Sequence, residues 1–113
     1  MATRYYIAIP DPGKARAASE FAFRSQGAES MAQELQDALR TTALFERWRA
    51  AQDDPDEVDP ALGVTDPAAT VEGRQDDLHI DLIVVTSISG SVFKQRLRLL
   101  AGSAWELRDV SSA

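Results

Sequence analysis

Asp77-Leu78-His79-Ile80-Asp81-Leu82-Ile83-Val84-Val85-Thr86-Ser87 is the stretch whose reading decides the fold. It is the chain's longest run rich in β-branched and aliphatic residues. Its first half alternates, with Leu78, Ile80 and Leu82 on one side and Asp77, His79 and Asp81 on the other, the two-residue period of a β-strand. Its second half, Ile83-Val84-Val85, is apolar throughout. That change predicts a strand that starts with one wet face and ends covered on both, so an interior strand over 78–86. A buried helix is the competing reading of any apolar run. The β-branched content and the Ser87-Ile88-Ser89-Gly90-Ser91 break favour the strand.

Working outward, Thr3 to Ile9 forms a second strand candidate. Tyr5, Ile7 and Ile9 share one face, Tyr6 and Ala8 the other, and Pro10-Asp11-Pro12-Gly13 ends it. Glu20-Phe21-Ala22-Phe23-Arg24 alternates and predicts an edge strand with one wet face. Residues 14–19 are left between a loop and a short helical turn. Ser30 and Gln33 have capping-box spacing, so a helix over 30–41 with Ser30 as N-cap is expected. Met31, Leu35, Ala38 and Leu39 supply its apolar face, and a further helix over 43–51 follows the Thr41-Thr42 break.

Residues 91–100 are also read as a helix. Val92, Phe93, Arg96, Leu97, Leu99 and Leu100 fit packing on a sheet, and Gly102 stands where a terminating glycine belongs. A strand is the rival, since Phe93, Gln95, Leu97 and Leu99 also alternate. Residues 104–110 predict a closing edge strand, joined to 78–86 by a parallel crossover. The expected architecture is a single α+β domain over 1–113: a two-layer sandwich with a four-stranded mixed sheet and two to three helices mainly on one face. Its strand order would be 20–24, 3–9, 78–86, 104–110.

The 113-residue length suits one domain. The absence of cysteine excludes disulfides, zinc-thiolate sites and a cysteine nucleophile. The amino-terminal stretch has neither the basic region nor the apolar core of a signal peptide, and no apolar run approaches membrane-spanning length. A cytoplasmic location and no membrane association are therefore expected. Ten arginines against two lysines, with many alanines, hint at a bacterial chain.

The net charge of −6 is uneven. Residues 52–81 hold ten acidic groups against one basic group, Arg74, and the flanking segments are each slightly basic. Such acidity repels phosphate backbones, so direct nucleic-acid binding is not expected. Within 52–75, a Pro-rich segment reads as one long loop, with a short strand around 70–72 as an option. A loop of that length in a small domain is usually functional or disordered.

No motif fixes a chemistry. Asp77, His79 and Asp81 lie at i, i+2 and i+4 on one face of a strand, which offers a candidate metal site of imidazole and carboxylates. The plainer reading is the solvated start of a strand. Asp53, Asp54, Asp56, Glu57 and Asp59 form a candidate partner-binding surface, but their spacing fails the EF-hand pattern. Lys94, Arg96 and Arg98 form a candidate site for an anion or acidic ligand, or simply a wet basic cluster. Ser91 and Lys94 match S-x-x-K without the partner motifs of the enzymes that use it. The expectation is a small non-catalytic binding or regulatory protein with a protein partner, a homodimer among the options, and no cofactor. Two alternatives stand beside it: a small metal-dependent or acid–base enzyme using His79 with Asp77 and Asp81, and an acidic phosphate mimic using loop 52–66.

Overall fold

The computed structural model describes residues 2–113. Four strands and four α-helices alternate as β1 (Thr3–Ile9), α1 (Pro12–Arg16), α2 (Ala28–Arg40), α3 (Ala43–Ala50), β2 (Thr70–Asp76), β3 (His79–Thr86), α4 (Gly90–Ala101) and β4 (Glu106–Ser112). The sheet order is β2-β3-β1-β4, and all three ladders are antiparallel. Among the described residues no helix is long and apolar enough to cross a membrane.

The chain is an α+β fold in two layers. Tyr5, Ile7 and Ile9 of β1 and Ile80, Leu82 and Val84 of β3 point to one side. There they share a core with Met31, Leu35 and Leu39 of α2 and Phe93, Leu97 and Leu100 of α4. Tyr5 stacks on Phe93 with ring centroids 4.4 Å apart. Each strand puts alternate residues into that layer, so Ile83 and Val85 fall on the opposite, helix-free face and are only half-buried. The expected interior strand is present, but it is covered on one face rather than two.

The mixed sheet and the parallel neighbour of β3 are corrected by the observed topology. β3 and β4 do run in the same direction, because both are antiparallel to β1, yet β1 lies between them. The connection β3–α4–β4 therefore spans an intervening strand, and the whole chain follows a split β-α-β arrangement. The alternating pattern of 104–110 identified a strand but carried no information about its neighbour.

Residues 20–24 are not a strand. Phe23 is buried, and its N–H donates to Leu100 O at 2.8 Å. The N–H groups of Arg24 and Ser25 are taken by the Glu34 carboxylate of α2. The Phe21 and Ala22 N–H groups donate to Ser19, so the segment's backbone donors are satisfied by a local turn and by helices, not by a ladder. The place it was expected to fill, the edge beside β1, belongs to β4. The edge beside β3, expected for 104–110, belongs to β2, which starts near the end of the segment 52–75. Within that loop, Pro55–Glu57 and Pro60–Gly63 each form a short 3-10 turn that begins at proline.

Helix α2 starts two residues earlier than expected. Gly27 is its N-cap, and the Gln33 side chain donates to Asp37 instead of reaching back to Ser30. At the end of α4, Gly102 takes a positive φ of 61°, and its N–H donates to Arg98 O. The terminating glycine is needed there because that backbone region disfavours side chains.

The approach of α2 to the sheet depends on small residues. A Cβ placed on Gly73 of β2 would run into the Ala28 carbonyl and crowd the Ala32 methyl. Gly73→Ala is expected to destabilise the fold by about 1–3 kcal/mol through forced displacement of α2, measured as a lower midpoint in urea unfolding.

Candidate functional site

The β2–β3 hairpin turns through two residues, Asp77 and Leu78, between the paired Asp76 and His79. Asp77 adopts φ 55°, a left-handed conformation that aspartate tolerates better than most residues. The Gln75 side-chain amide donates to the Asp77 and His79 carbonyls and braces the turn. Leu78 is 81% exposed at the tip, so the inward face expected to start at Leu78 begins at Ile80.

This turn changes the expected metal triad. Asp77 belongs to the turn and supplies no donor to the cluster. Asp76, His79 and Asp81 do converge, each offering one ligand atom within 4.8 Å of the others. His79 Nε2 lies 3.4 Å from Asp81 Oδ2 and 3.7 Å from Asp76 Oδ2. The strand pattern correctly paired His79 with Asp81. It could not identify Asp76, whose place comes from cross-strand pairing across the hairpin.

The acidic candidates Asp53, Asp54, Asp56, Glu57 and Asp59 are all exposed. Their segment is shaped by side chains of the folded body and of its own turns. Arg49 donates to Pro55 O and lies 3.7 Å from Asp56, and Asp59 caps the second 3-10 turn by accepting from Ala61 N–H.

The basic candidates do not form one patch. Arg98 is exposed and Lys94 partly buried, while Arg96 is 0% exposed. Arg96 lies on the apolar side of α4 and donates to three carbonyls: Ala38 O at 2.8 Å, Leu62 O at 2.6 Å and Val64 O at 3.0 Å. With its fork committed to backbone, Arg96 is unavailable to a surface anion. Burial pulls its pKa below the ordinary arginine value. The negative end of α2, whose final-turn carbonyl it meets at Ala38, favours the cation there.

Asp66 is the buried polar residue that sequence reasoning passed over. Its carboxylate accepts from Thr86 Oγ1 and Ser87 N–H, both at 2.9 Å, and from Ala68 N–H at 3.1 Å. The Ser87 backbone bond is the main cause holding its pKa below the usual aspartate value, and burial opposes it. The one available signal was local: an Asp two residues before an N–H it can accept from, a turn-forming pattern. Nothing in the sequence distinguished it from the neighbouring exposed acids.

Two outcomes follow from this inner network. Arg96→Met keeps the bulk but leaves three carbonyls without their donor; the expected loss is about 3–5 kcal/mol in urea unfolding, with faster protease cleavage in 52–66. For Asp66 the folded pKa lies below the 3.8 reference. Its stabilisation is therefore complete above that value and is lost as pH falls through the lower folded pKa. Asp66→Asn should cost about 1–3 kcal/mol at neutral pH and flatten the acid limb of a stability–pH curve below about pH 4.

Comparison of the chain with protein-family models, with curated proteins and with solved structures finds no match, and the functional reading rests on the residues described above.

Proposed function

We propose that the protein is a small cytoplasmic binding module without catalysis of its own, and that its working form is a two-fold homodimer joined along β4. The observation that carries this reading is the character of that strand. β4 is an edge of the sheet, and all its residues except Ser111 are exposed. An exposed edge presents unpaired N–H and C=O groups that can accept another strand.

Two of the four large apolar side chains exposed among the described residues lie on β4: Leu107 at 38% and Val110 at 47%. A bulge places both on the same face. Leu107 is opposite Ile7 and Val110 opposite Tyr5, with the register shift absorbed at Arg108. Without the extra residue, a spacing of three would put them on opposite faces. Half-buried Trp105 extends the apolar strip at the start of the strand.

The strand is complementary to itself. Antiparallel pairing of two copies about the Arg108–Asp109 bond puts Arg108 opposite Asp109 and Leu107 opposite Val110. Arg108 and Asp109 then each meet an opposite charge, Glu106 falls opposite Ser111, and Leu107 and Val110 meet on the same face. A two-fold interface requires this kind of self-match. Within one copy Arg108 pairs with Glu106 at 3.0 Å and Asp109 Oδ1 accepts from the Val110 N–H at 2.9 Å. These are exposed interactions of small worth whose exchange for the cross-copy pairing is not penalised heavily.

Sedimentation equilibrium tests the reading. The wild-type chain should show twice its 12.4 kDa mass. Arg108→Asp should shift it to monomer, and adding Asp109→Arg should restore the dimer with reversed charges. A monomeric wild type, or a double exchange that fails to restore what the single change removes, would sink the β4 pairing.

A further inference from the structure

We infer that the β2–β3 hairpin is a binding site for a divalent transition-metal ion, ligated by Asp76 Oδ2, His79 Nε2 and Asp81 Oδ2. It lies at the β2 side of the sheet, away from β4, and does not depend on the dimer.

The chemistry of the donors is the first argument. One imidazole and two carboxylates form a mixed nitrogen–oxygen set suited to zinc, cobalt, manganese or iron. Calcium and magnesium favour oxygen-only sets. His79 is the chain's single histidine, and it lies in contact range of both carboxylates rather than of one.

Geometry is the second argument. Metal–ligand bonds of about 2.1 Å at tetrahedral angles set donors about 3.4 Å apart. The His79–Asp81 separation of 3.4 Å already has that value, and the His79–Asp76 separation of 3.7 Å needs only a small closure. The three donors share the helix-free face of the sheet. Asp76 and His79 are direct cross-strand partners, and Asp81 follows two residues later on the same side.

Rigidity is the third. His79 and Asp81 alternate with Ile80 and Leu82, which are fully buried in the core. That burial fixes the backbone under two of the donors. The third is held by the ladder and by the Gln75 brace across the turn. Asp76 is exposed and His79 and Asp81 are half-buried, so an ion can enter without opening the fold. The site excludes Asp77, although that residue is adjacent in sequence to Asp76 and of the same type.

The experiment uses the full chain freed of metal. Zinc is titrated calorimetrically, and cobalt is followed by its visible absorption, which reports coordination geometry. One ion per chain is expected, with a cobalt spectrum that includes nitrogen ligation and a zinc-dependent rise in melting temperature. His79→Gln, Asp76→Asn and Asp81→Asn should each weaken binding by about tenfold or more, whereas Asp77→Asn should leave it within about twofold. All four positions lie at the surface end of the hairpin, and circular dichroism checks that each variant is folded. Absence of saturable zinc binding by the wild type overturns the site. So does unchanged binding in His79→Gln, which would mean nonspecific attraction to the acidic surface. An equal loss in Asp77→Asn would overturn the assigned ligand set.

Discussion

The C-terminal end of α2 is the place on which the rest of the structure depends. A helix leaves its last carbonyls without partners inside the helix. Here Asp37 O accepts from the N–H and hydroxyl of Thr41, Ala38 O from Arg96, and Leu39 O from the Asp66 N–H. The Arg40 side chain reaches on to Ala69 O. One helix end thereby fastens α4 and the acidic segment to the same point. Arg96 is the centre of it, because one guanidinium also holds Leu62 O and Val64 O. A buried cation is costly unless its donors are used; here both terminal nitrogens are used, Nε has no partner, and the side chain bridges three parts of the chain.

That fastening explains how so acidic a segment stays ordered. Residues 52–69 contain too little apolar surface to fold by burial alone. They are held by polar bonds from outside: Arg49 on Pro55, Arg96 on Leu62 and Val64, Arg40 on Ala69. Asp66 reverses the direction and grips the end of β3 through Thr86 and Ser87. The segment then delivers the chain into β2, where Gly73 permits close contact with Ala28 and Ala32. At one edge of the sheet α2 reaches β2 at Val71, through Gln36, and at Gly73, the other β2 residues being exposed, and β4 at the other edge is exposed except at Ser111. The same pairing that places β2 beside β3 brings Asp76 to His79 and Asp81.

Several features were legible from residue pattern alone. The alternation of Ile80, Leu82 and Val84 marked β3, the Tyr5-Ile7-Ile9 face marked β1, and the stripe from Met31 to Leu39 marked α2. Gly102 marked the end of α4. Each is a local signal, because side-chain direction repeats with the period of the element itself. Phe21 and Phe23 show the limit of such signals. Their alternation is real and Phe23 is buried, but an irregular segment satisfied by Glu34 and Leu100 buries a phenylalanine as well as a strand does. Arg96 shows the same limit for charge. Its position within the apolar stripe of α4 was visible, yet its partners are 32 to 58 residues away in the chain.

The sequence by itself determined β1, β3, β4, the three longer helices and the α+β class, since periodicity and breakers act within a few residues. Tertiary structure alone decided that β1 separates β3 from β4, that Asp76 rather than Asp77 joins His79, and that Arg96 is buried while Arg98 is not. Those outcomes depend on which distant backbone groups come to lie next to one another. No local period encodes that, because hydrogen-bond partners across a ladder or a core are set by the packing of whole elements.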